Sequence, residues 1–154
     1  MPFRRLDLAP GRHRRPIRLL AAALLVAASG ASCHGQVRPA GRDIDMTLRD
    51  FRIIASAATV RAGTFTFVIN ARGPTTHEFN VVRTDVGPAA LPLRRDGITV
   101  DEDSPLLHWA GSRENLDIGD VTSLTVPLRP GHYVVFCNME GHYLAGMHLP
   151  LTVR

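Results

Sequence analysis

The chain has 154 residues, with 18 basic side chains, all arginine, against 14 acidic ones, a formal charge of +4 and two cysteines. Residues 1–32 hold six of the arginines and one aspartate, which leaves 12 basic against 13 acidic groups and a net charge near −1 for the rest. The basic balance thus belongs to the N-terminal segment and gives no ground for nucleic-acid binding, which needs a basic patch on the folded domain, and two cysteines exclude a disulfide framework.

The N-terminus reads as an export signal over residues 1–32. Arg4, Arg5, Arg12, Arg14, Arg15 and Arg18 form a basic region, Leu19 to Ala28 an apolar run of about ten residues, and small residues follow up to Cys33. That run is too short for a permanent membrane span of about 20 residues. Small residues before Cys33 resemble a lipoprotein signal, although Gly30 stands where a large aliphatic residue is usual. Lipidation of Cys33 and simple cleavage nearby both stay open. Residues 33–42 are short and polar and read as a tether; residues 43–154 read as one domain.

In that domain Ile44, Met46 and Leu48 alternate with polar neighbours, the period of a half-buried strand, and Phe51, Ile53 and Ile54 are read as its continuation. After a turn at Arg61 to Gly63, Phe65, Phe67 and Ile69 mark a second strand. A turn over Asn70 to Pro74 then presents His77 at the head of Phe79, Val81 and Val82. Residues 84–120, broken by Pro88, Pro92, Gly97, Pro105, Gly111 and Gly119, are expected to be loops with a short helix or strand at most, and Arg94-Arg95 and Asp101-Glu102-Asp103 to be solvated. Leu124, Val126 and Leu128 form another strand. Arg129-Pro130-Gly131 turns the chain, Tyr133, Val135 and Cys137 share a face, and Leu149, Leu151 and Val153 close the sheet. Short strands between Gly and Pro turns, with no amphipathic helix, predict an all-β antiparallel sandwich.

The chemistry concentrates between Gly131 and Met147. Cys137, His142 and Met147 are separated by four residues and four residues, and together with His77 they form two imidazoles, a thiolate and a thioether. Soft sulfur with imidazole suits copper cycling between Cu(I) and Cu(II), and two His and one Cys with a weak axial Met define a blue-copper electron-transfer site. An odd cysteine in the body of an exported domain also points to a special role. The other candidates are weaker: His148 runs with Pro150 and Thr152, His132 lies opposite Cys137, and His108 sits beside Trp109 in the irregular stretch. Met139 falls between two equatorial ligands, where the chain has to bridge them.

On these residues the chain resembles the cupredoxin family from about Asp43 onward. Its ligand loop is more similar to those of rusticyanin, auracyanin and sulfocyanin than to the shorter one of plastocyanin. The resemblance implies a Greek-key β-sandwich, one copper ion held by His77, Cys137, His142 and Met147, and a monomeric electron carrier, not an enzyme. It also implies that His142 is the electron port, with Met139, Tyr143 and Leu144 as candidates for an apolar patch around it. Glu78 stands where the family usually has Asn or Ser, the residue that braces the ligand loop, so that brace is not carried over to this chain. The expected partners are redox proteins such as a membrane cytochrome or terminal oxidase. The expected place is the periplasm or the outer face of the cell membrane, with attachment through Cys33 if that residue is lipidated. The alternative from another class is an envelope copper-binding or copper-delivery protein; a thiolate set at a strand end favours retention over release.

Overall fold

The computed structural model describes residues 42–154; the expected export signal at 1–32 and nearly all of the expected tether at 33–42 lie outside the described residues. Nine strands are formed among the described residues. They are β1 (Asp43–Arg49), β2 (Arg52–Ala55), β3 (Thr59–Val60), β4 (Gly63–Ala71), β5 (His77–Arg83), β6 (His108–Leu116), β7 (Val121–Leu128), β8 (Gly131–Phe136) and β9 (His148–Val153). They form a four-stranded sheet, β2-β1-β4-β7, and a five-stranded sheet, β3-β9-β8-β5-β6.

Alternation does the sorting. In β1, Ile44, Met46 and Leu48 are buried between exposed or half-buried neighbours, and β4 and β7 repeat the pattern with Phe65, Phe67, Ile69, Leu124, Val126 and Leu128. These side chains meet Phe79, Val81, Tyr133, Val135, Leu151 and Val153 in one cluster. Because side chains in a strand point alternately to the two faces, β8 also sends Val134 and Phe136 to the far side of its sheet. There they join Val82, Leu91, Val100, Leu107 and Tyr143 in a second cluster.

Three expectations need correction. Both sheets are mixed, not antiparallel, since β1 pairs parallel with β4 and β3 with β9. Parallel neighbours need a crossover, and the excursion to β3 in the other sheet supplies it. Phe51, Ile53 and Ile54 do not continue β1: the chain reverses at Asp50-Phe51 and β2 pairs antiparallel with β1, Arg49 opposite Arg52. The three-residue step from Leu48 to Phe51 breaks the period of two, and that break is the turn. Third, residues 84–120 contain β6, a nine-residue strand beside β5. It lies at the sheet edge with Glu114 and Arg113 outward, so little of it alternates.

Candidate metal centre

His77, Cys137 and His142 converge. One potential ligand atom each from His77, Cys137 and His142 lies within 4.8 Å of the others, close to the span that one transition-metal ion bridges with bonds of about 2.0–2.3 Å.

His77 opens β5 and is fully buried. A register irregularity between His77 and Phe79 interrupts the pairing with β6, a device that re-aims side chains beside functional sites. Neither ring nitrogen has an aligned hydrogen-bond partner, although Asp50 Oδ1 approaches Nε2 at 3.3 Å. Buried polar atoms are normally satisfied, so an imidazole left this way in an interior marks a place for a ligand. Burial lowers the His77 pKa below the ordinary histidine value; Asp50 opposes that and His142 adds to it. The ring is therefore held neutral, the form that binds metals.

Cys137 follows β8 and is also fully buried. Its Sγ lies 3.4 Å from His142 Nδ1 and accepts the Glu78 N–H at 3.3 Å. Burial raises the thiol pKa, and the backbone N–H groups of Glu78 and Met139 partly offset it. The free thiol is thus protonated, and binding a metal releases that proton.

His142 sits on a compact turn. Its N–H bonds Met139 O at 2.9 Å, and its carbonyl accepts the Met147 N–H at 3.0 Å. The Cys137 N–H then donates to Met147 O at 3.1 Å, which closes the loop at its base. Gly141 (φ 78°) and Gly146 (φ 102°) supply the left-handed conformations that this winding requires. The His142 ring is 5.4 Å from His77 centroid to centroid and 8% exposed. Met147 is fully buried in the main core, tied through its backbone to both Cys137 and His142.

The surroundings differ from expectation in several places. Tyr143 is buried, its hydroxyl accepting the Leu91 N–H at 2.8 Å and donating to Pro88 O at 2.9 Å, so it belongs to the interior and not to an apolar surface patch. Leu144 is 53% exposed, and Met139 is half-buried against the core. Phe51 stands edge-on to His142, centroids 5.1 Å apart, and is exposed on its outer side. Sequence reasoning missed this neighbour, and the only available signal was the broken alternation after Leu48. Glu78 keeps its backbone contact to the thiol, while its carboxylate accepts from Asn80 Nδ2 at 3.2 Å. Burial raises the Glu78 pKa above the ordinary carboxylate range, and the hydrogen bond from Asn80 opposes it. Glu102 is not simply solvated, since it accepts from Asn138 Nδ2 at 2.8 Å. His148 packs against Tyr143 with centroids 5.2 Å apart, and His132 and His108 are exposed.

No family model matches the chain, and no curated protein matches it in sequence. Its structure is similar to several solved ones. Dithionite-reduced auracyanin from the photosynthetic bacterium Roseiflexus castenholzii has 20% identity and a TM-score of 0.54, covering 75% of this chain and 99% of that one. Auracyanin B has 20% identity and a TM-score of 0.54, covering 76% and 91%. The azurin Az-iso2 from the obligate methylotroph Methylomonas sp. strain J has 16% identity and a TM-score of 0.50, covering 75% and 99%. At these identities the likeness is one of fold.

Proposed function

With its fold that of the cupredoxins, we propose that this chain holds one copper ion between His77, Cys137, His142 and Met147 and carries single electrons between protein partners. The observation that carries the reading is the fully buried His77, whose ring nitrogens lack aligned partners beside the thiol and the second imidazole. Two imidazoles and a thiolate with a thioether suit copper better than the hard cations, which prefer oxygen. Bound copper would supply a one-electron couple between Cu(I) and Cu(II).

The chain's part is to keep the donors still. His77 comes from β5, while the other three come from the β8–β9 loop, closed by backbone hydrogen bonds, so the donor positions are set by neighbouring strands of the five-stranded sheet. The Glu78 N–H directed at Sγ stabilises the thiolate. His142, at the rim, is the donor nearest to solvent and the natural exit for an electron, with Phe51 and Leu144 exposed on the same end. Burial of the thiol and His77 favours retention over delivery of the metal. Residues 1–32 support export to the periplasm or the outer membrane face, where a membrane cytochrome or terminal oxidase is the kind of partner this carrier would serve.

A Cu(II) titration of the domain, followed by visible and electron-paramagnetic-resonance spectra, tests the reading. An intense thiolate-to-copper band at one equivalent, bleached reversibly by a mild reductant, is expected. A weak spectrum, or binding of Cu(I) alone, overturns it in favour of delivery. Met147→Leu is expected to keep the band and shift the potential; an unchanged potential removes Met147 from the ligand set.

A further inference from the structure

The two residues of the β1–β2 turn each meet one of the two imidazoles. Phe51 stands against His142, and Asp50 brings Oδ1 to 3.3 Å from His77 Nε2. The same oxygen accepts the Thr75 hydroxyl at 2.8 Å. The Asp50 carboxylate is 22% exposed, and no arginine pairs with it among the described residues. It is a half-buried carboxylate with a hydroxyl and an imidazole as its company.

The backbone around it is shaped for this contact. At Gly73 an added Cβ would lie 2.4 Å from His77 Nε2 and 2.5 Å from Asp50 Oδ1. Any side chain there would intrude on both groups, so the glycine leaves the space in which carboxylate and imidazole meet. The Arg72 N–H bonds Leu48 O at 2.8 Å, which pins the Gly73 to Thr75 loop against the end of β1 next to Asp50.

Resting on the copper reading above, we infer that Asp50 is a positioning residue for the metal centre: its carboxylate, 3.3 Å from His77 Nε2 without an aligned hydrogen bond, favours by its charge the tautomer with the proton on that nitrogen and leaves Nδ1 for the metal. A ligating histidine commonly donates its other N–H to a carboxylate, which sets ring orientation and raises ligand basicity. Here the carboxylate also places a negative charge behind one ligand and not the other. That charge favours the more positive ion, Cu(II), and so lowers the reduction potential. Copper affinity and potential are thereby partly set by a turn that contributes no ligand.

The test compares wild type, Asp50→Asn, Asp50→Leu and Glu140→Gln, the last removing a charge from the exposed part of the ligand loop. In the copper-loaded proteins, Asp50→Leu is expected to bind copper about 10–100-fold more weakly and to have a raised potential, with Asp50→Asn between it and wild type and Glu140→Gln near wild type. In the metal-free proteins, imidazole nitrogen NMR is expected to show the Nε2–H tautomer of His77 in wild type and a mixture in Asp50→Leu. If wild type forms no blue band, the copper reading fails, and the tautomer measurement still judges Asp50. If the band forms but Asp50→Leu keeps the wild-type affinity, potential and tautomer, Asp50 has no positioning role. A Glu140→Gln shift in potential as large as that of Asp50→Asn overturns the inference as well, because general charge would then suffice.

Discussion

The two faces of the five-stranded sheet are covered by different kinds of chain. The inner face meets regular strands, β1, β4 and β7, whose alternating side chains mesh with those of β5, β8 and β9. The outer face is covered in part by the irregular segment between β5 and β6, anchored by Leu91, Val100 and Leu107 and by a few side-chain hydrogen bonds. The ligand loop belongs to both. Cys137 and Met147 go into the inner core, while Tyr143 goes into the outer cluster and Asn138 Oδ1 accepts the Val100 N–H at 2.6 Å. An irregular cover can therefore be as much a part of a metal site as the sandwich beneath it.

The comparison is broken most sharply at the point where the faces meet. Cys137→Ala is expected to abolish the blue band completely while leaving the sheets intact, as read by visible absorption alongside far-ultraviolet circular dichroism. Next, Phe67→Ala removes a fully buried ring from the inner core and is expected to cost about 3–5 kcal/mol. Urea unfolding would show it, with the spectrum of the folded fraction unchanged. Tyr143→Phe acts on the outer cover. It strands the buried Leu91 N–H at a cost of about 1–3 kcal/mol, and amide exchange is expected to quicken in the ligand loop and around Leu91 more than in β4. If β4 amides quicken equally, the two faces are not separate units.

The smallest effect is a matter of sign. Burial raises the Glu78 pKa in the folded chain, so the stability contributed by its neutral form is complete below the unfolded-state pKa and is lost as pH rises through the folded one. Relative to Glu78→Gln, the metal-free wild type is expected to lose stability across that interval. Paired urea midpoints at acidic and neutral pH would measure it, and parallel curves would show that the carboxylate is not desolvated.

What could be read in advance follows the same division. Strands β1, β4 and β7 show themselves through alternation because one face is buried and the other wet. Cys137, His142 and Met147 stand out because they lie close together in one loop, and His77 because a Gly-Pro turn hands it to an apolar strand. Edge strand β6 hides because charged residues occupy its middle and neither face is cleanly apolar. Asp50 and Phe51 hide for another reason: each looks like ordinary turn material until the fold sets it against a ring from elsewhere in the chain. The buried Tyr143 was misplaced because its hydroxyl partners, Pro88 and Leu91, come from the segment with no periodicity to read.

The depth of Cys137 also matters before any metal arrives. Thiol–disulfide exchange requires a thiolate that another sulfur can reach, and this one is fully buried with its pKa raised. It is also the single described cysteine, so it has no neighbour with which to form a bridge within the domain. A folded, metal-free molecule can thus wait in oxidising surroundings without being captured by small disulfides or by a second copy, and its thiol stays in reserve for the ion.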